Sequence, residues 1–134
     1  MANIAISFPD ANNGIITCIP SPLDGVRIKV ELSSDASPGS NVKADWQGYN
    51  DASGADPIPE TATSLSHKLT QPDIDNGFIL VVTDYFKHIR PIKRGSAQVT
   101  ITIDGNDSTS AHIRFRIANL NGLTCEELPP NEAV

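Results

Sequence analysis

Apolar and polar residues alternate strictly along Val26-Arg27-Ile28-Lys29-Val30-Glu31-Leu32, and the same period of two returns over 41–49, 96–103 and 111–117. A period of two sends successive side chains to opposite faces, the signature of a half-buried strand. Phe78-Ile79-Leu80-Val81-Val82 is instead a continuous apolar run, which predicts a strand covered on both faces. Shorter β-rich runs occupy 4–8 and 15–19, and residues 61–69 are β-compatible with Leu65 and Leu69 as their large apolar side chains.

Turn formers punctuate these runs. Asn12-Asn13-Gly14 and Leu23-Asp24-Gly25 are tight turns, 33–40 is a loop, 50–60 is a long polar connection, and Asp104-Gly105-Asn106-Asp107 is a hairpin loop. Residues 71–77 read as one helical turn stopped by Gly77, and the stretch around Pro91 is irregular. No helical periodicity is sustained. The pattern predicts an all-β antiparallel sandwich, immunoglobulin-like, of roughly seven to nine strands. It forms one domain over residues 1–126, with N-terminal strands within 1–20, and a flexible tail at 127–134.

Trp46 is the only tryptophan and lies on an alternating strand with Val42 and Ala44, just before Gly48-Tyr49. It reads as the buried indole that pins one sheet to the other. Because aromatics make up only 5% of the chain, the core must rest on Ile, Val, Leu and Ala. The formal net charge of −6 argues against a nucleic-acid backbone as partner. Lys87, His88, Arg90, Lys93 and Arg94 form a local basic run, read as a solvated loop balancing nearby acids or as an anion patch. No apolar run is long enough for a membrane helix, and the N-terminus lacks the basic and apolar regions of a secretory leader. The expectation is a chain that is cytoplasmic, exported without a leader, or a module of a larger protein, with no membrane insertion.

Cys18 and Cys125 are the only cysteines. Paired, they would staple neighbouring terminal strands; unpaired, they are two small hydrophobes in a reducing compartment. Both readings stand at this point.

The order of landmarks resembles the immunoglobulin-like domains found, singly or in tandem, in surface and secreted proteins of Gram-negative bacteria. The residues that carry it are Pro38-Gly39-Ser40 before a strand, Asp45-Trp46-Gln47-Gly48-Tyr49, the stretch 59–69, and Gly77 before a strand. Ile89 with Pro91-Ile92, Arg94-Gly95-Ser96 before a strand, and Gly122-Leu123-Thr124-Cys125 complete it. The resemblance covers about residues 20–125 and implies a non-enzymatic interaction or spacer module, mediating protein binding or adhesion. Antibody-type Cys…Trp…Cys spacing is absent, since neither cysteine sits where that pattern flanks Trp46.

No catalytic constellation emerges. There is no Gly-x-Ser-x-Gly elbow, and His67, His88 and His112 are far apart in sequence, with His67 and His112 on expected polar strand faces. Hard cations need several converging oxygens, so calcium is the one cofactor considered, with Asp104, Asn106 and Asp107 as first candidates. Asp73, Asp75 and Asn76 form a second acidic cluster, and Asp51 and Asp56 lie on the long loop. Tyr49, Tyr85 and Phe86 are the aromatic candidates for ligand contact, each with core burial as its competing role. Together these residues support an alternative function, a lectin-like, calcium-dependent carbohydrate-binding sandwich. The partner is then a protein or a glycan; oligomeric state is left open.

Overall fold

The computed structural model describes residues 4–18, 22–32, 37–110 and 112–127. Among these residues nine strands form two sheets. β1 (Ile4–Ser7), β3 (Val26–Leu32) and β6 (Phe78–Val82) make a three-stranded sheet in that order. The second sheet runs β2 (Ile15–Thr17), β9 (Ile113–Arg116), β7 (Ser96–Ile103), β4 (Asn41–Tyr49), β5 (Pro57–Lys68), with β8 (Asn106–Thr109) also paired to β7. A single cluster of buried side chains draws on both sheets: Val26, Ile28 and Val30 from β3, Leu80 and Val82 from β6, and Val42, Trp46, Val99 and Ile101 from β4 and β7. The chain is therefore mostly β, two sheets over one core. Among the described residues no helix is long and apolar enough to cross a membrane.

Trp46 sits at the centre of that core, 2% exposed. Its ring meets Phe115 of β9 edge to face at 6.1 Å between centroids, and its Nε1 donates to the carbonyl of His88 at 3.1 Å. Buried indole N–H groups require such a partner. His88 belongs to a π-helical turn (Tyr85–Ile89) that runs into a 3₁₀ turn (Arg90–Ile92). That segment packs onto β5, where His88 Nδ1 lies 3.1 Å from the carbonyl of Thr61. Gly48 is required here for space: a Cβ would come within 2.7 Å of both Ile92 Cγ1 and Thr61 Oγ1.

α1 (Gln71–Asn76) bears out the helical turn read at 71–77. Thr70 and Asp73 form a reciprocal capping box, and Gly77 at φ 78° ends the helix.

Several expectations need correction. The polar connection at 50–60 is shorter than expected, because β5 begins at Pro57. Pro57 and Pro59 are tolerated because β5 is an edge strand, where a missing N–H breaks no ladder on the free side. β6 is fully buried on one face only: Phe78, Leu80 and Val82 enter the core, whereas Ile79 and Val81 alternate to the other face and are 44% and 38% exposed. The sandwich is not wholly antiparallel. After Pro9-Asp10 the chain leaves β1, turns at Asn13 and Gly14 with positive φ, and enters the other sheet as β2, parallel to β9. The hairpin loop after β7 is only Asp104-Gly105, both at positive φ, so Asn106 and Asp107 belong to β8. Glu127, assigned to the tail, is tied to Arg90 and Thr124; residues 128–134 lie outside the described residues.

Candidate functional site

Tyr85 is a core residue and not a ligand platform. It is 3% exposed, and its hydroxyl donates to Glu126 Oε2 at 2.7 Å. Burial, reinforced by the Glu126 carboxylate, pushes its phenol well above the usual range. Phe86 next to it points outward, 61% exposed, with its ring edge-on to Tyr85 at 5.2 Å. The π-helical turn thus sorts the two adjacent aromatics, one into the core and one into solvent.

Asp104, Asn106 and Asp107 do not share a loop. Asp104 Oδ2 accepts from Ser40 Oγ at 2.7 Å, and Asp107 Oδ1 accepts from Thr102 Oγ1 at 2.6 Å across the β7–β8 pair. Nothing is described of the Asn106 side chain. Among the described residues no three Asp, Glu, His or Cys side chains converge on one point. Asp51 instead organises its own loop. It accepts from Ser53 Oγ and from the backbone N–H groups of Ala55 and Asp56, which hold its carboxyl well below the usual range. Asp73 serves the α1 cap, with the Thr70 N–H as the main cause of its lowered pKa.

Cys18 and Cys125 form a disulfide, with Cα atoms 5.5 Å apart and a sequence separation of 107. A clasp of polar groups surrounds it. Arg90 bonds Glu126, Glu127 and Thr124, and the Thr124 hydroxyl donates to both glutamates. Thr124, with Arg90 behind it, draws the Glu127 carboxyl down to about 2. Burial opposes ionisation of Glu126, yet bonds from Thr124, Tyr85 and Arg90 outweigh it and leave that pKa lowered. Arg94 donates to the carbonyl of Ala118 at 3.1 Å. Arg90 and Arg94 of the basic run therefore fasten the C-terminal segment, and the run is not one continuous patch.

The three histidines stand apart in structural roles. His67 stacks on Phe78 at 4.7 Å and bonds Asp73 Oδ2 at 2.8 Å. The expected exposed polar-face position of His67 is thus corrected, because the end of β5 lies against the α1–β6 junction. His88 braces Thr61, and His112 packs edge to face against Tyr49 at 5.1 Å.

Tyr49, among the aromatic candidates, lines a concave site. Outward-facing residues of β5, β4 and β7 enclose a groove of about 350 Å³, with Asp45, Gln47 and Tyr49 along its centre strand and Ser64, Gln98 and Thr100 beside them. Register assembles it: Asp45 pairs with Thr100 on one side and Ser64 on the other, and Gln47 pairs with Gln98. Between the Trp46–Thr63 and Gly48–Ile58 pairs, Gln47 alone faces residues 59–62 of β5. An irregularity of this kind locally bends a strand and increases its twist. The Gln47 amide closes the gap by donating to the carbonyls of Gly48 and Ile58, both at 2.9 Å. Sequence reasoning found Tyr49 and missed the others. Alternation on β4 places Asp45, Gln47 and Tyr49 on one face, but their cross-strand neighbours are set by register. A second hollow of about 320 Å³ lies between Ile92, Lys93 and Arg94 and the loop carrying Leu120, which is 89% exposed.

Comparison with known proteins gives no match to any family model, curated protein or solved structure.

Proposed function

We propose that the chain is an immunoglobulin-like, non-enzymatic interaction module of the kind carried by bacterial surface proteins, acting in protein binding or adhesion. The observation that carries the reading is the strand order around Trp46. With β1, β3 and β6 taken as strands A, B and E, and β9, β7, β4 and β5 as G, F, C and C′, Trp46 falls on strand C, the position of the buried tryptophan in immunoglobulin sandwiches. α1 takes the place of strand D. The two cysteines fasten the ends of the chain instead of crossing beside Trp46, and buried aliphatics such as Ile28 and Ile101 fill the core.

Such a frame presents its loops and outer faces to partners. Phe86, held outward by a buried neighbour, is the apolar anchor best placed for a protein surface. The test uses beads coated with wild-type protein, with Phe86→Ser, or with albumin, presented to bacterial and epithelial cells. Adhesion by the wild type above the albumin level, and its reduction in Phe86→Ser at unchanged melting temperature, supports the reading. Albumin-level adhesion by the wild type overturns it, as does turnover of an ester, glycoside or peptide substrate.

A further inference from the structure

We propose that the groove on the outer face of β5, β4 and β7 binds a neutral disaccharide unit of a glycan. The inference rests on the chain being a binding module and adds a ligand class and a site to it. The groove's size, about 350 Å³, falls at the small end of ligand pockets.

Its hydrogen-bonding capacity is specific. Gln98 Nε2 is committed to the carbonyl of Ser110 at 2.9 Å, and Gln47 Nε2 to the carbonyls of Gly48 and Ile58. Each carboxamide is therefore fixed with its carbonyl oxygen left as an acceptor. Asp45 takes the Ser64 hydroxyl on Oδ1, leaving Oδ2 as a third acceptor. Asp45 and Gln47 are two residues apart on one strand, and Gln98 lies directly across from Gln47. The three residues that carry these acceptors thus stand at neighbouring points of one pleated lattice, their backbone positions roughly 5–8 Å apart. Tyr49 closes one end, its ring steadied by His112 at 5.1 Å.

A donor-rich, uncharged ligand with an apolar face complements this arrangement, and a pyranose has ring hydroxyls for the acceptors and C–H faces for tyrosine. An anion finds no cation among the lining residues. A cationic peptide is the weaker fit, because the single carboxylate already has Lys43 Nζ 3.6 Å from Oδ1. The amides' prior commitment also reduces the ordering cost of binding, since the acceptors need not be fixed by the ligand.

The test is a titration of isotopically labelled protein with lactose, maltose, cellobiose and N,N′-diacetylchitobiose, followed by backbone amide shifts, with a lysine-rich peptide as the comparison arm. The proposal expects saturable shifts from one or more disaccharides at residues 45–49, 62–64 and 98–100. Asp45→Ala should weaken binding roughly tenfold, the loss of a hydrogen bond to a charged group, and Leu120→Ser should leave it unchanged. Should Asp45→Ala fail to fold, Gln98→Leu carries the same comparison. No saturable shift with any disaccharide overturns the proposal, as does undiminished binding by the variants or binding of the peptide alone. Cell adhesion that depends on Phe86 without sugar binding would sink the glycan groove and leave the interaction module standing.

Discussion

Trp46 Nε1 donates to the backbone carbonyl of His88 at 3.1 Å, tying the central strand of the larger sheet to a π-helical turn 42 positions later. The indole thus does two jobs, filling the inter-sheet core and satisfying a carbonyl in an irregular segment.

Replacing it separates the two. Trp46→Phe keeps most of the apolar volume and orphans the His88 carbonyl, so a loss of about 1–3 kcal/mol is expected. Trp46→Ala adds a cavity, for about 3–5 kcal/mol. Urea unfolding midpoints at neutral pH measure both; an unchanged midpoint for Trp46→Phe would refute the bond contribution, and equal losses for the two variants would refute the cavity contribution.

Gly48 has no room for a side chain. With Ile92 Cγ1 and Thr61 Oγ1 both 2.7 Å from an added Cβ, Gly48→Ala should cost about 1–3 kcal/mol. Ile92→Ala, which removes the crowding Cγ1, should couple favourably with it, so that the double variant loses less than the sum of the two single losses. Thermal melts of the single and double variants decide this.

Joining Cys18 to Cys125 restricts the unfolded chain over 107 positions. In the chain-entropy model a loop of that size is worth roughly 4–5 kcal/mol. Reduction, or a Cys18→Ala/Cys125→Ala double variant, should lower the melting temperature markedly while the strand signature in circular dichroism persists at low temperature. An unchanged melting temperature on reduction would refute the staple.

The clasp around Thr124 makes stability sensitive to acid. Glu126 and Glu127 have folded pKa values below their ordinary value of 4.5, Glu127 at about 2. A depressed carboxyl contributes stability that is present above the unfolded pKa and lost as pH falls through the folded one. The unfolding midpoint should therefore hold from neutral pH to about 4.5 and decline toward about 2. Thr124→Val removes the largest cause of the Glu127 shift, so it should lower stability at neutral pH and flatten the decline. A parallel curve for the variant would refute that assignment.

Period-two patterning was enough to place β3, β4, β7 and β9, because alternation reports directly which residues face a core. The turn formers of 71–77, with Gly77 as the stop, placed α1 for the same local reason: its bonds lie within one turn of chain. The burial of Trp46 followed from its being the one indole on an alternating strand. Local pattern could not reveal that Ile79 and Val81 stay exposed, since an apolar run reads the same whether one face is covered or two. Nor could it show that β2 joins β9 in parallel, or that Tyr85 is buried while Phe86 is not; these depend on contacts with segments far along the chain. The groove belongs to this second class. Asp45, Gln47 and Tyr49 share a face by alternation alone, but Gln98, Thr100 and Ser64 join them only through register. Sequence by itself determined a β-rich chain with a tryptophan anchor. Tertiary structure decided which residues stand together on its surface, because pairing between strands is a long-range choice that no short window of residues contains.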